Sequence, residues 1–299
     1  MILFKRSGDL AEWLEGQRES GNSIGFVPTM GALHAGHISL ISISKKSTRI
    51  TVCSIFINPT QFNDPKDFQK YPITLEKDIA LLEEAGADVL FLPEAAELYP
   101  EGTKDLETYD LGPLEKILEG KYRPGHFQGV CQVMRRLLDL VRPDDLYMGQ
   151  KDYQQCMVVQ RLLVIRGMKT RLHPCPIVRE PDGLAMSSRN VRLTPDQRMK
   201  ATAIHQALLM IKRGWQGERP IVKELTDQAR IILEKADFRV DYVEIADAET
   251  LEPELGGPHA TASRIDGPNA GVAQTAGAGA VALIAAFQGE VRLIDNMVL

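Results

Sequence analysis

Between positions 23 and 178, short β-branched and apolar runs alternate with segments of helical period. The runs 23–28 (SIGFVP), 51–57 (TVCSIFI), 87–92 (ADVLFL) and 146–148 (LYM) read as buried strands. They are too short for core helices and rich in side chains that suit a pleated surface. Between them, the segment from Gly36 (GHISLISISKK) reads as a helix. So does 74–85, where Leu75, Ile79 and Leu82 share one face and Gly86 supplies a left-handed stop. Segments 130–141, closed by Pro143, and 154–166 add two more helices, and 171–178 is extended and interrupted by prolines. Parallel strands need a crossover, usually a helix. The alternation therefore predicts an α/β fold with a Rossmann-like parallel sheet.

The pattern changes near position 177. Thr194, Pro195 and Gln197 form a helix-start signature, with Thr at the N-cap, Pro at the first helical position and Gln at the third. That helix is expected to continue through His205 and Leu209 to Lys212. A second helix is expected over 222–235. Strands follow at 239–245 (RVDYVEI), 281–287 and 291–294. These elements predict a smaller α+β domain. The expected division is residues 1–176 for the Rossmann-like domain and 177–299 for a C-terminal lid. Segment 256–279 is rich in Gly, Ala, Pro and Thr and reads as a long surface loop.

Composition narrows the partners. The 299 residues carry a formal net charge of -5 and only 6% aromatic side chains. Neither the basic excess nor the stacking platforms of a nucleic-acid binder are present. The apolar opening is too short for a signal peptide, and the run 280–287 is too short to span a bilayer. A cytoplasmic protein is expected. Cys53, Cys131, Cys156 and Cys175 form no CxxC pair, and Cys53 and Cys156 read as core thiols.

The chemistry concentrates in Met30, Gly31, Ala32, Leu33, His34, Ala35, Gly36 and His37, between the first strand and the helix that follows. In an open parallel sheet this turn lies at the carboxyl edge, where ligands bind. The helix N-terminus offers backbone N–H groups and a partial positive charge suited to phosphate. Transfer at an α-phosphate builds negative charge, and imidazole donors from His34 and His37 can stabilise it. Alone, this segment admits any adenylyl-transfer enzyme of the HxGH kind, or a catalytically dead nucleotide-binding regulator. Lys151 and Asp152 follow a Gly-led turn and read either as a phosphate and ribose contact or as a solvated charge pair. Ser187, Ser188 and Arg189 read as a phosphate clamp or as a polar interdomain turn.

The string FVPTMGALHAGH resembles the pantothenate synthetases of the HxGH nucleotidylyltransferase superfamily. SIFINPTQF, GHFQGV, GQKDYQQ, MSSRN and RLIDN follow in family order along nearly the whole chain. The resemblance implies an enzyme that ligates pantoate and β-alanine through a pantoyl adenylate, releasing pyrophosphate and AMP. It implies ATP contacts from Gly149, Gln150, Lys151, Asp152, Val178, Met186, Ser187, Ser188 and Arg189. Pantoate contacts fall to Gln61 and Gln155. Met30, Phe56 and Phe62 pack either the pantoate methyl groups or the core. His37, His34 and Lys151 are the expected catalytic residues. Mg2+ is expected with the nucleotide; no acidic cluster identifies its ligands, and Asp78 is one distant carboxylate to consider. The resemblance also implies a homodimer.

Overall fold

The apolar runs of the first half assemble into six parallel strands: β1 (Ile2–Phe4), β2 (Ile24–Thr29), β3 (Ile50–Ile55), β4 (Val89–Phe91), β5 (Asp145–Gly149) and β6 (Arg171–Cys175). The coordinates are a computed structural model and describe residues 1–217, 220–253 and 279–299. Apart from Gly279, the loop expected at 256–279 lies outside the described residues. The chain falls into two compact units. One is Met1–Gln150 with Gln155–Cys175; the other is Lys151–Gln154 with Pro176–Leu299.

In the first unit the strand order is β1-β4-β3-β2-β5-β6. Strands β2 and β3 are buried along nearly their whole length, as a sheet covered by helices on both faces requires. From β2 the chain steps outward to β3 and β4, then returns across β2 to build β5 and β6. The order thus reverses between β2 and β5, and a crevice opens beyond their carboxyl ends at such a switch point. Thr29 ends β2 and Gly149 ends β5, so the two Gly-led turns of the sequence leave from neighbouring strands.

Some local signals act as read. Helix Leu75–Glu84 ends on Gly86 at φ 76°, with Gly86 N–H donating to Glu83 and Ala87 N–H to Leu82. This is the Schellman pattern. Helix His126–Val141 begins earlier than the expected 130. Its two glycines suggest a loop, but they do different work. Gly125 turns the chain at φ 79°, whereas Gly129 lies inside the helix at a place where a Cβ would meet the Thr60 carbonyl at 2.2 Å.

The N-terminal strand β1 and helix Ser7–Glu19 were not expected. Ile2 and Leu3 are exposed, and the helix has no side-chain cap at Arg6. Its Ser7 N–H instead donates to Glu97 Oε1 at 2.6 Å, from 90 residues away.

The second unit holds an antiparallel sheet of β7 (Phe238–Asp247), β8 (Ala280–Gln288) and β9 (Val291–Val298), in that order. Helices Ala203–Trp215 and Val222–Lys235 pack against it through Ile204, Leu208, Ile211, Ala229 and Leu233. The capping box at Thr194 and Gln197 forms as expected. The single helix expected from it does not. It stops at Lys200 and restarts at Ala203. The Thr202 hydroxyl donates to the Met199 carbonyl at 3.0 Å, taking the acceptor that a continuing helix would give to residue 203.

Candidate active site

After Thr29 the chain turns through two left-handed residues, Gly31 at φ 79° and Ala32 at φ 49°. Glycine is needed at Gly31 for conformation, and a Cβ there would also be tight, 3.1 Å from both Asp78 Oδ2 and Ile55 Cγ2. The turn is held by Asp78, a buried carboxylate on helix Leu75–Glu84. Asp78 Oδ2 accepts from Ala32 N–H and Oδ1 from Leu33 N–H, both at 2.8 Å, and the Thr74 hydroxyl donates to Oδ1 at 3.0 Å. Both oxygens are committed to the loop. The possible metal role for Asp78 is therefore replaced by a structural one: its charge compensates the part-buried Ala32 amide and the buried Leu33 amide in a strained turn.

Helix Ala35–Ser47 starts from His34. His37 Nδ1 accepts from His34 N–H at 3.3 Å, and His34 Nδ1 accepts from Gly36 N–H at 3.2 Å. The ring centroids are 4.0 Å apart. A neutral imidazole that accepts at Nδ1 carries its proton at Nε2. Both rings thus become Nε2–H donors, aligned by the first turn of one helix. Four amides of this turn and helix start have side-chain acceptors. The amides of Ala32 and Leu33 serve Asp78, and those of His34 and Gly36 serve the imidazoles. Both imidazoles stand at the positive end of the helix dipole.

At the end of β3 a short 3-10 turn, Pro59–Gln61, packs against helix His126–Val141. Asn58 is buried and organises it. Its Nδ2 donates to Gln61 Oε1 at 3.2 Å and to the Gly129 carbonyl at 3.1 Å, while its Oδ1 accepts from Thr60 Oγ1 and Tyr99 OH. Burial pushes the Tyr99 phenol above its ordinary pKa, which keeps that donor protonated. Gln61 Nε2 is 3.0 Å from Met30 Sδ. Thioether sulfur is a weak acceptor, so an oxygen-bearing ligand can readily displace it. The Gln61 carbonyl accepts from His126 Nδ1 at 2.7 Å, and Arg123 Nη1 lies 3.1 Å from His126 Nε2. Sequence reasoning gave Arg123 and His126 no role; they fix the backbone that carries Gln61.

The second unit carries Lys151, Asp152, Val178, Met186, Ser187, Ser188 and Arg189. Val178 and Met186 pair across a hairpin, Met186 N–H donating to the Val178 carbonyl at 3.0 Å. Gly183 turns that hairpin at φ 93°. Ser187 Oγ then caps the 3-10 segment Ser188–Arg192 by accepting from Arg189 N–H at 3.3 Å. Ser188 is buried and Arg189 half-buried. Lys151 is half-buried and Asp152 exposed. The Lys151 carbonyl accepts from Asn296 Nδ2 at 2.9 Å, and Tyr153 OH donates to the Ala248 carbonyl at 2.8 Å.

A sequence profile described as pantoate-beta-alanine ligase matches residues 2–298. The chain belongs to the pantoate-beta-alanine ligase family. It is similar to the pantothenate synthetase of Cytophaga hutchinsonii, with 41% identity over 100% of this chain and 99% of that one. With the pantothenate synthetase of Aquifex aeolicus it shares 39% identity over 99% and 98%. Among solved structures it resembles pantothenate synthetase from Thermus thermophilus, with TM-score 0.86, 39% identity and coverage of 100% and 99%. It also resembles the pantoate-beta-alanine ligase of Francisella tularensis complexed with beta-gamma ATP and beta-alanine. There the TM-score is 0.78 and identity 34%, over 100% of this chain and 97% of that one.

In this ligase the expected residues fall into two groups. Met30, Gly31, Ala32, Leu33, His34, Ala35, Gly36, His37 and Gln61 gather around the carboxyl ends of β2 and β3, and Gly149 and Gln150 leave the carboxyl end of β5, all in the first unit. Gln155 lies in that unit too, half-buried in the first turns of helix Tyr153–Ile165, beside the buried Gln154. Lys151, Asp152, Val178, Met186, Ser187, Ser188 and Arg189 belong to the second unit. Sequence reasoning missed Asn58 and Tyr99. The asparagine directly after an apolar strand was a signal for Asn58; Tyr99 gave none. No helix among the described residues is long and apolar enough to cross a membrane.

Proposed function

We propose that His34 and His37 are the donors that carry adenylyl transfer in this ligase. The observation that supports this reading is their crossed capping, which sets both Nδ1 atoms to accept and both Nε2 atoms to donate. The pantoate carboxylate attacks the α-phosphorus of ATP, the bond to the pyrophosphate oxygen breaks, and pantoyl adenylate forms. No proton moves in this step, so His37 acts as an electrostatic stabiliser of the phosphate oxygens rather than as an acid. The β-alanine amine then attacks the acyl carbon and loses a proton, and AMP leaves as the amide forms. AMP is a far better leaving group than oxide, which is why the carboxylate must be adenylated first.

The other assignments are part of the same proposal. Gln61 and Gln155 read pantoate, with amides that donate and accept without competing as nucleophiles. Gly149, Gln150, Lys151 and Asp152 line the nucleotide, Lys151 neutralising phosphate charge. Val178, Met186, Ser187, Ser188 and Arg189 supply a second arm for the departing pyrophosphate, so residues 1–176 would hold nucleotide and pantoate and 177–299 that second arm. The ATP and β-alanine seen with the Francisella tularensis ligase support these substrates here.

Among the described residues no group of three or more His, Cys, Asp or Glu side chains could hold a metal ion, and Asp78 is fully engaged by the loop. Magnesium is proposed to enter with the nucleotide, held by phosphate oxygens as is usual for this ion. A homodimer and a cytoplasmic location are proposed from the family resemblance; light scattering on the purified protein tests the first. For the reaction itself, the experiment is product analysis. Pyrophosphate should form only when pantoate accompanies ATP, and pantothenate only when β-alanine is added. ATP binding without either product would favour a regulator.

A further inference from the structure

Two adjacent residues of β9, inside the RLIDN motif, hold the backbones that carry both cationic arms of the second unit. Asp295 is buried, at 2% exposure. It takes a two-pronged ion pair from Arg179, with Nη1 to Oδ2 at 2.6 Å and Nη2 to Oδ1 at 3.0 Å. Arg179 is bridged to Ala185 across the hairpin that leads into Ser187, Ser188 and Arg189. It also spans that hairpin, since its Nη1 donates to the Gly183 carbonyl at 3.0 Å. Its Nη2 reaches the Asn296 carbonyl at 3.3 Å. Asn296, equally buried at 2%, extends its Nδ2 to the Lys151 carbonyl at 2.9 Å, and its own N–H donates to Asp295 Oδ1 at 2.8 Å.

A buried ion pair is a poor way to gain stability, because desolvation offsets the attraction. It is a good way to fix an angle, because a guanidinium fork and a carboxylate meet in one plane. Lys151 needs such fixing. Its ammonium sits on four rotatable bonds, so its reach is set by where its backbone is pinned. We infer that Asp295 and Asn296 are positioning residues for adenylyl transfer. Asp295 sets the hairpin that presents Arg189, and Asn296 sets the backbone that presents Lys151. One dipeptide of β9 thereby fixes the mutual placement of two phosphate-binding cations. The inference rests on the proposal above that Lys151 and Arg189 meet the nucleotide.

The test is pantoate-dependent exchange between ATP and labelled pyrophosphate, measured on the full-length chain. The variants are Asn296→Ala, Lys151→Ala and the double variant, with thermal melting of each. Asn296→Ala should lower kcat/KM for ATP by about tenfold to a hundredfold, the range a small misplacement can cost, with KM for pantoate unchanged. The double variant should be no slower than Lys151→Ala alone, because Asn296 acts through Lys151 and the two losses do not add. Asp295→Asn, which keeps the volume and one acceptor, should behave likewise against Arg189→Ala, and it serves if Asn296→Ala does not fold. Exchange within about twofold of the parent in both variants, or losses that multiply in the double variants, would overturn the inference alone. A silent Lys151→Ala and Arg189→Ala would overturn the underlying assignment as well.

Discussion

His34 and His37 each take a backbone N–H of their own helix start at Nδ1, His37 from His34 at 3.3 Å and His34 from Gly36 at 3.2 Å. The pair is therefore oriented before any ligand arrives, and pre-oriented donors cost nothing to reorganise during reaction. Nitrogen NMR of the free protein near pH 8 should show both rings as the Nε2–H tautomer. Protonation at Nδ1 in either ring would contradict the orientation.

Asp78 should matter to catalysis without touching substrate. Its carboxylate is the acceptor for Ala32 and Leu33 N–H. An amide at this position presents one acceptor and one donor where the carboxylate meets three donors, the Thr74 hydroxyl included. Asp78→Asn should therefore set its NH2 against one of these backbone donors, at about 1–3 kcal/mol, and loosen the turn that leads into His34. Urea denaturation should report the lost stability, and the exchange assay a lower kcat.

Gly129→Ala isolates the turn that carries Gln61. The added Cβ would sit 2.2 Å from the Thr60 carbonyl, which is backbone and must shift. The cost should be about 1–3 kcal/mol. Steady-state kinetics should show KM for pantoate rising while KM for ATP holds. A variant with parental KM for both would separate this turn from pantoate binding.

The four cysteines are buried and form no disulfide. Burial pushes the thiols of Cys53 and Cys131 up to about 12, and that of Cys175 to about 11. Ellman's reagent at pH 8 should find no reactive thiol in the native chain and all four after denaturation. The linkage has a definite sign. A folded pKa above the unfolded one contributes stability that is complete below the unfolded value. That stability is then lost from the ordinary thiol pKa of 9.0 upward toward about 12. Unfolding midpoints in urea should fall over that alkaline range.

What could be read in the sequence was local. The strand runs gave the parallel sheet, Gly86 gave a helix stop, and Thr194 with Gln197 gave a capping box, because each signal lies within a few residues of its effect. The parts that escaped are set from far away. Glu97 caps helix Ser7–Glu19 across 90 residues, and Asp78 fixes Ala32 across 46. A carboxylate in an amphipathic helix carries no mark of which distant amides it will serve. The helix expected from Thr194 to Lys212 broke at Thr202 for a third reason: a side-chain hydroxyl competed for a backbone acceptor. At the candidate site, the strand, turn and helix were readable. The direction of the amides was not, because imidazoles rarely cap their own helix.

The most direct measurement is the rate of pantoate-dependent ATP–pyrophosphate exchange by His37→Ala, with the fold verified by circular dichroism. Loss of one pre-oriented donor should lower kcat by about 100-fold to 1,000-fold while pantoate still binds. A folded His37→Ala protein that exchanges pyrophosphate at nearly the parental rate would contradict the assignment of the His34 and His37 pair.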